Sequence, residues 1–506
     1  MHSAVCLPAF ESLRTLLKTR MKDLGSVMTD KLDEWLLART PALFRAMELE
    51  VAQVARGFAD EVVDLVLKAI VGDREFEAEC CAAVRVGSEV KLRTANRRSV
   101  EVVLLGGRVV RVNVAYLRPD RRGLRGRPRG TGRRGKGGSG LYPALAALGV
   151  WFGVTPALAD EICRQVTDSD SVRAGRAALA RRNIDLGHKQ TLRIINAVGR
   201  RAVEQRDRWV VKALESAAPS GGPLRGCRVV AAIDGGRIRT RVELGGRPNA
   251  DTGHHRFDAA WREPKLFSIY VVDADGNILD KFRPVYDGTM ENCDGAFARL
   301  AGYLKSMGAH EAKALVLLGD GARWIWDAID TLVEAVGIPK DRVVQIVDWY
   351  HAVEVLGEVA DARKNWDPAA RDAWLKKART HLHAGDIAGL MDIFDEIAVG
   401  RRATAINKHR DYFLRNAHRM TYDKFRAEKV PIGSGSVESA IRRIVNMRMK
   451  GNGTFWLLEN AEAMILLRSY LKAGRFDDLI GWSHATAAAW WRNAQTAAAS
   501  PVREAA

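Results

Sequence analysis

With 47% hydrophobic and 28% charged residues, the 506-residue chain can bury sizeable cores, and its length suits about three domains of ~150 residues. This composition excludes a wholly disordered protein, and the formal net charge of +18 indicates a polyanionic partner, either nucleic acid or an anionic membrane surface. The six cysteines include no Cys-x-x-Cys pair, which argues against a zinc ribbon and is typical of a reducing cytoplasm. Glu11, Arg14 and Lys18 interrupt any apolar leader, so we expect a cytoplasmic protein without a signal peptide.

Residues 1–117 are predicted to form helices followed by a β-hairpin. Apolar residues recur three and four positions apart from Leu32 and again from Val51, which gives helices one packing face. Residues 99–105 and 109–117 instead alternate in polarity around Gly106-Gly107, a two-residue hairpin signal. We expect this region to support the fold or a dimer contact rather than to carry chemistry.

Residues 118–140 are predicted to form a basic Arg/Gly arm. Eight arginines and one lysine face one acid, Asp120, and eight glycines are interspersed, so the segment carries a net charge of +8 and cannot bury a core. A solvated linker is the alternative, but the charge density favours contacts with DNA phosphates. The residues assigned to DNA binding are Arg121, Arg122, Arg125, Arg127, Arg129, Arg133, Arg134 and Lys136.

Residues 141–224 are predicted to be helical. Residues 141–159 contain no charge and are long enough to span a membrane, but Pro143, Gly149, Gly153 and Pro156 favour buried helical structure instead. Residues 171–198 then suggest two helices around a break.

The second helix of that pair presents Lys189 and Arg193, side chains that contact base edges and phosphates. A DNA-binding helix-turn-helix and an ordinary helical hairpin both fit, and the first would make this a DNA-binding region.

Residues 225–354 contain three apolar strands that each end in an acid. Asp234, Asp320 and Asp348 follow residues 229–233, 314–319 and 343–347. An ordinary Asp-Gly turn explains any one of the first two. Several strand-end carboxylates in one domain instead predict a site for hard divalent cations such as Mg²⁺, which prefer oxygen ligands.

The order of elements in residues 225–354 indicates an α/β, ribonuclease-H-like core. A polar loop is expected over residues 245–263, and a hairpin over 267–272 and 278–285 around Asp273. A helix over 292–307, the Asp320 strand, a helix from Trp324 and the Asp348 strand complete the pattern, and the antiparallel hairpin distinguishes it from an all-parallel sheet. No Gly-x-Gly-x-x-Gly or Walker loop is present, so no nucleotide cofactor is expected.

Residues 355–430 are predicted to be helical, and residues 431–484 bring a further acid, Glu438. Ser434 or Ser436 is expected to cap the helix that carries it. A favourable interaction with the helix dipole, or an ion pair with Arg442 four residues later, explains Glu438 without any catalytic role. Residues 485–506 form an Ala-rich tail.

Several short blocks, taken in this order, resemble bacterial insertion-sequence transposases of the ISKra type. They are Ile233-Asp-Gly-Gly-Arg, Trp261-Arg-Glu-Pro-Lys, Gly319-Asp-Gly-Ala-Arg-Trp-Ile-Trp, Asp348-Trp-Tyr-His, Gly433-Ser-Gly-Ser-Val-Glu-Ser and Arg448-Met-Lys-Gly-Asn-Gly with Trp456. The resemblance is strong over residues 225–480 and weaker back to Leu148-Gly-Val-Trp-Phe-Gly-Val-Thr-Pro-Ala-Leu. Relatives often carry paired cysteines after the hairpin, where this chain has its basic arm, which puts zinc-dependent end recognition in doubt.

The resemblance implies a DDE transposase whose catalytic, metal-binding residues are Asp234, Asp320 and Glu438. Two Mg²⁺ ions, for which Mn²⁺ can substitute, would serve cleavage and strand transfer. Residues 355–430 would then be a helical insertion in the catalytic domain. Asp348, with His351 nearby, is the rival third acid.

The resemblance also implies partners and accessory residues. Terminal inverted repeats and target DNA would be bound by a homodimer or higher oligomer associated with the nucleoid. Contacts with the DNA backbone near the scissile phosphate are expected from Arg442, Arg443, Arg448 and Lys450. An accessory role is expected from Asp348, His351 and Arg262. Two alternatives stay open, a structure-specific nuclease of the same fold and a non-catalytic DNA-binding regulator derived from a transposase.

Overall fold

The computed structural model describes residues 7–88, 91–120, 140–247, 249, 255–364, 366–400 and 403–484. The chain divides into two units, residues 1–198 with 480–506 and residues 199–479. Most of the predicted basic arm, residues 121–139, and the predicted tail, residues 485–506, lie outside the described residues.

The first unit is mainly helical and contains one antiparallel hairpin. Its elements are α1 (Leu7–Asp30), α2 (Leu32–Leu36), α3 (Pro41–Gly72), α4 (Arg74–Val86), β1 (Leu92–Val103), β2 (Val109–Pro119), α5 (Pro143–Ala147), α6 (Pro156–Asp168), α7 (Val172–Ala180) and the start of α8 (His188–Glu215). Helices are thus confirmed over most of residues 1–95, but β1 begins at Leu92, earlier than expected.

The hairpin of β1 and β2 is confirmed, and α3 fixes its turn. The Asp60 carboxylate accepts hydrogen bonds from the backbone N–H groups of Gly106 and Arg108, both at 3.0 Å. A Cβ at Gly106 would lie 2.5 Å from that carboxylate, so the close approach requires glycine. Leu67 of α3 packs with Val102 and other hairpin valines in one buried cluster.

The uncharged segment 141–159 holds two separate helices rather than one. The short α5 ends before Gly149, which adopts φ 69°, and α6 begins at Pro156. No helix among the described residues is long and apolar enough to cross a membrane.

The predicted helix pair over residues 171–198 is present as α7 and the first part of α8. Ser171 caps α7 by accepting a hydrogen bond from Ala174 N at 3.0 Å. Lys189 and Arg193 are exposed on α8, while Ile194 is buried, as the apolar spacing predicts.

The second unit combines strands with helices. Its strands are β3 (Arg228–Gly235), β4 (Ile238–Glu243), β5 (Phe257–Arg262), β6 (Lys265–Val272), β7 (Val285–Thr289), β8 (Ala314–Gly319) and β9 (Val343–Val347). Its later helices are α9 (Cys293–Ser306), α10 (Arg323–Trp326), α11 (Ile329–Val336), α12 (Trp349–Asp361), α13 (Pro368–His383), α14 (Ile387–Ile397), α15 (Ala403–Asn416), α16 (Tyr422–Ala427), α17 (Gly435–Ile441), α18 (Met447–Met449), α19 (Leu458–Lys472) and the start of α20 (Phe476–His484), whose last residues belong to the first unit. A π-helical turn, Arg442–Asn446, joins α17 to α18.

A five-stranded mixed sheet forms the centre of this unit, which confirms the mixed α/β class. Its strand order is β7-β6-β3-β8-β9. The strands β3, β8 and β9 run parallel, and β6 is antiparallel to both of its neighbours. The middle of β3, residues 229–233, is buried, as its continuous apolar run predicts.

One prediction in this unit was partly confirmed, and another was wrong. Ile278 forms the predicted antiparallel bridge to Val272, and Leu279 N donates to Val271 O at 2.9 Å. The strand that pairs with β6 over its length is β7, from Val285, because residues 279–282 form a turn and Pro284 cannot donate a ladder hydrogen bond. The expected polar loop over residues 245–263 contains β5, which pairs with β4. The residues around β5 are mostly polar, so the alternation of Phe257, Ala259 and Trp261, which is typical of a strand, did not lead to a strand prediction.

A buried ionic network ties α8, β7 and α19 together. Arg206 has no exposed surface, and it donates to Asp207 at 3.0 Å, Asp287 at 3.2 Å and Glu462 at 2.6 Å. Burial lowers the pKa of Arg206, but these three carboxylates outweigh burial and hold the pKa well above its ordinary value. The Tyr303 hydroxyl donates to the other oxygen of Asp287 at 3.1 Å. The guanidinium therefore neutralises Asp287, which is fully buried, and Glu462, whose side chain is only 13% exposed.

Replacing Arg206 with methionine should lower the free energy of unfolding by about 3–5 kcal/mol, because it leaves buried carboxylates without their cation. Urea unfolding followed by circular dichroism measures this change. The matched control is Arg208→Met, whose side chain is 65% exposed on the same helix and should change stability by less than ~0.5 kcal/mol. Equal effects of the two variants would contradict a stabilising role for the network.

Candidate active site

The parallel strands bring three aspartates to one edge of the sheet at the same level. Ala232 of β3 lies opposite Leu318 of β8, and Gly319 of β8 lies opposite Val347 of β9. Continuing this register beyond the strand ends places Asp234, Asp320 and Asp348 side by side. The apolar residues before each acid hold the backbone rigidly in the sheet.

Asp348 connects this edge to a distant part of the chain. Its side chain is fully buried, and Oδ1 accepts a hydrogen bond from His351 N at 2.9 Å, which caps α12. Its Oδ2 accepts a hydrogen bond from Ser434 N, and Trp349 N donates to Ile432 O at 2.9 Å. These contacts fix residues 432–434, immediately before α17, against the sheet edge.

The helix α17 delivers Glu438 to the same edge. This helix packs against β3 and β6, and Glu438 is exposed on it. Carboxylate oxygens of Asp348 and Glu438 and a ring nitrogen of His351 all lie within 4.8 Å of one another. The rival acids Asp348 and Glu438 therefore belong to one cluster.

Glu438 lies in the first turn of α17, as the helix-dipole explanation requires, but two other expectations for this helix do not match the geometry. Ser434 holds the N-cap position, but its hydroxyl makes no capping hydrogen bond to the described residues, which corrects the expectation for Ser434; the side chain of Ser436 lies outside the description. Within the described chain no ion pair joins Glu438 to Arg442.

His351 lies between two carboxylates. Its Nδ1 is 3.4 Å from Glu354 Oε2, and its Nε2 is 4.0 Å from Asp234 Oδ2. Nε2 is buried and has no hydrogen-bond partner among the described residues. A carboxylate on one ring nitrogen and an unpartnered second nitrogen facing acids is the arrangement of a histidine that can ligate a metal.

Burial and neighbouring acids raise the pKa of two carboxyl groups in the cluster, Asp234 and Glu438. Burial raises the pKa of Asp234 to about 6; Asp320 and Glu438 add to the rise, while His351 and the Gly235 N–H oppose it. Partial burial also raises the pKa of Glu438, with Asp348 adding to the effect. Asp320 Oδ1 accepts a hydrogen bond from Ala322 N at 2.8 Å, which orients that carboxylate. Crowded oxygen donors with raised pKa values fit a hard divalent cation, which would favour their ionised forms.

The predicted phosphate-contacting residues of the second unit occupy different environments. Arg442 and Lys450 are exposed near the acid cluster's helix. Arg443 is half-buried and donates to the Tyr286 hydroxyl at 3.3 Å. Arg448 is buried, and its guanidinium carbon lies 5.5 Å from the Trp456 ring centroid. Arg262 is exposed on β5.

The remaining predicted contacts are not part of this cluster. Lys189 and Arg193 are exposed on α8 in the first unit. The basic-arm residues Arg121 to Lys136 lie outside the described residues.

Two cavities next to the Asp348 segment were not predicted from the sequence. A cavity of about 630 Å³ is lined by Trp349, Tyr350, His383 and Gly433, among others. A second cavity of about 600 Å³ shares Trp349 and His383 and adds Lys376 and Arg379. The Asp348-Trp-Tyr-His block is a sequence signal for the two aromatic residues, but Lys376 and Arg379 lie on α13, which carries no such motif.

Comparison with known proteins identifies no family for this chain. No family model matches the sequence, and no curated protein does either. The acid cluster and its surroundings therefore carry the functional interpretation.

Replacing Asp234 with asparagine should increase the free energy of unfolding by about 1–3 kcal/mol at pH 7.5 without metal. Folding raises the pKa of this carboxyl from 3.8 to about 6, so ionising it disfavours the folded state above pH 6. The gain should shrink as the pH falls from 6 to 4, because both states then become protonated. Urea unfolding in EDTA from pH 4 to 8 measures it.

The control for this measurement is Asp392→Asn, which alters an exposed carboxylate and should change stability by less than ~0.5 kcal/mol at every pH. A loss of stability in Asp234→Asn at pH 7.5 would show that the folded protein does not disfavour the ionised carboxyl.

Proposed function

We propose that this chain is a DDE transposase that cleaves and joins DNA at the ends of an insertion sequence. The observation that carries the proposal is the alignment of Asp234, Asp320 and Asp348 at the ends of three parallel strands, with Glu438 brought to them by α17. The resemblance of the surrounding motifs to ISKra-type transposases supports the same function.

The sheet supports a ribonuclease-H-like catalytic core. The strands β3, β6 and β7 lie side by side in the sheet, and β6 runs antiparallel to both of the others. The strands β8 and β9 extend the sheet on the other side of β3 and run parallel to it. The helices α13 to α16 then form the proposed insertion before Glu438.

Asp234, Asp320 and Glu438 would hold the divalent cations, two Mg²⁺ or Mn²⁺ ions. The chemistry that such ions supply is activation of a water, and stabilisation of the leaving oxygen, in phosphodiester cleavage. His351 offers its unpartnered Nε2 to the same space, and Glu354 orients the ring. In strand transfer a DNA 3′-hydroxyl takes the place of water, so no nucleophilic side chain is needed.

Asp348 and Glu438 have different roles in this proposal. Both carboxylate oxygens of Asp348 accept backbone hydrogen bonds, from His351 and Ser434, so Asp348 acts as a positioning residue. Glu438 is more exposed and is the acid that can turn toward a cation. The backbone N–H groups position the loop, and Glu438 supplies the third ligand.

DNA is the proposed partner of both units. The net charge of +18, the basic arm and the exposed Lys189, Arg193, Arg442 and Lys450 would contact phosphates. Joining two transposon ends would require at least a dimer.

Replacing Asp320 with asparagine should reduce metal-dependent strand transfer by about 10³-fold or more, because it removes a ligand at the centre of the site. The assay combines purified full-length protein, a labelled fragment with the element's terminal repeat, a target plasmid, and Mg²⁺ or EDTA. DNA binding by the variant should persist, and Asp392→Asn serves as the active control. Cuts without joined product would favour a nuclease, and binding without either product would favour a regulator.

Replacing Glu438 with glutamine should abolish cleavage while the free energy of unfolding changes by less than ~0.5 kcal/mol. Replacing Asp348 with alanine should instead cost about 1–3 kcal/mol, because it leaves the buried Ser434 N–H without its acceptor. Cleavage assays and urea unfolding on both variants separate ligand from positioning residue. If Asp348→Asn ends cleavage at unchanged stability while Glu438→Gln keeps it, the two roles are reversed.

A further inference from the structure

A two-stranded ribbon leaves the sheet directly after the catalytic strand. It consists of β4 and β5, paired antiparallel from Ile238 opposite Arg262 to Glu243 opposite Phe257. The backbone of Trp456 covers the other edge of β4, donating to Arg239 O at 3.0 Å and accepting from Arg241 N at 2.9 Å. All six residues of β5 are exposed, and β5 has no strand partner on its outer edge among the described residues.

One face of this ribbon carries a continuous row of guanidinium groups and aromatic rings. Guanidinium-to-ring distances are 5.0 Å from Arg237 to Trp261, 5.6 Å from Arg239 to Trp261, and 4.8 Å from Arg239 to Phe455. The rings of Phe455 and Phe257 are 5.1 Å apart. The row ends at Arg241, 5.9 Å from Phe257. Strand alternation and register place these side chains together.

The row remains open to solvent in the folded unit. Trp261 is 48% exposed and Phe257 39% exposed. Arg241 forms an ion pair with Glu243 at 3.4 Å, and within the described part of the chain no ion pair involves Arg237 or Arg239. Exposed ring faces interleaved with excess positive charge match nucleic acid in particular, because bases stack on rings and guanidinium planes while phosphates neutralise the charge.

The base of the ribbon lies three residues after Asp234 in the chain and is held by close contacts between its two sides. Arg237 follows Asp234 by three residues, and Gly236 N donates to Pro264 O at 2.8 Å. A Cβ at Gly235 would lie 2.4 Å from Glu263 Oε1, so the two strands meet closely there. A DNA strand with its phosphate at Asp234 would therefore pass onto this face.

We propose that the ribbon face of Arg237, Arg239, Arg241, Phe257, Trp261 and Phe455 is a stacking platform for unpaired bases of the DNA strand beside the scissile phosphate. The platform rests on the proposed function, and it adds that the protein engages single-stranded DNA next to its cleavage site. Trp261, which is flanked by two guanidinium groups, is its central ring.

The test compares the binding of two DNA probes to the full-length protein in EDTA. One is a blunt duplex, and the other is the same duplex with a five-nucleotide single-stranded overhang carrying 2-aminopurine. Trp261→Ala should weaken binding of the overhang probe about 5- to 150-fold and abolish quenching of 2-aminopurine, because stacking contributes about 1–3 kcal/mol per base. Blunt-duplex affinity should change less than about twofold, and Trp261→Phe should restore most of the overhang affinity.

The matched control is Phe44→Ala, an exposed ring (50% exposed) on α3 of the first unit, which should leave both probes unaffected. Equal losses on the two probes would overturn the platform, as would wild-type quenching in Trp261→Ala. Dissociation of a dimer by Trp261→Ala, measured by sedimentation, with unchanged overhang binding would assign the edge of β5 to a second copy instead.

The two proposals fail separately. Overhang-dependent quenching without any joined product would leave the platform standing and remove the transposase function. Joined product with an overhang affinity that is independent of Trp261 would support the transposase function and overturn the platform.

Discussion

The geometry of the site depends on the carboxylate of Asp348. It is buried, has no cationic partner at hydrogen-bond distance among the described residues, and accepts hydrogen bonds from the N–H groups of His351 and Ser434, which are 83 residues apart along the chain. One carboxylate thus ends β9, caps α12 and anchors the loop that leads into α17. Together with the packing of α17 against β3 and β6, this anchor holds Glu438 beside acids more than a hundred residues earlier in the chain.

Two groups of buried charge in the second unit have opposite characters. Around Arg206, guanidinium and carboxylate groups satisfy each other, so this network stabilises the fold without any outside partner. At the sheet edge, the negative charges of Asp320 and Glu438 act on Asp234, His351 lies 4.0 Å from it, and the pKa of Asp234 rises to about 6. Repulsion between carboxylates is thus retained at this site, which is typical of a site that binds a cation.

The ribbon of β4 and β5 presents exposed groups that would bind the substrate next to the acid cluster. Its row of rings and guanidinium groups is stabilised internally by cation–π contacts, yet it keeps nearly half of the Trp261 surface exposed. Because the ribbon begins three residues after Asp234, chemistry and strand recognition would share one rigid backbone. The proposed transposase would then hold the phosphate and the neighbouring bases with adjacent parts of one chain segment.

The sequence by itself determined the features that depend on local periodicity. The hairpin around Gly106, the Ser171 cap and the buried strand before Asp234 follow from residue spacing, and the mixed α/β class follows from the order of such elements. Local patterns did not predict β5, since its solvent-exposed side chains resemble a polar loop, or the true start of β7.

Only the tertiary structure decided which acids meet. Sequence motifs predicted Asp234, Asp320 and Glu438 as site residues. Packing alone gives the contact of Asp348 with Ser434, the position of His351 between Glu354 and Asp234, and the aromatic row on the ribbon. The physical reason is that strand register and helix docking bring together residues far apart in the chain. Those distances depend on buried contacts across the whole unit, and no short stretch of sequence encodes them.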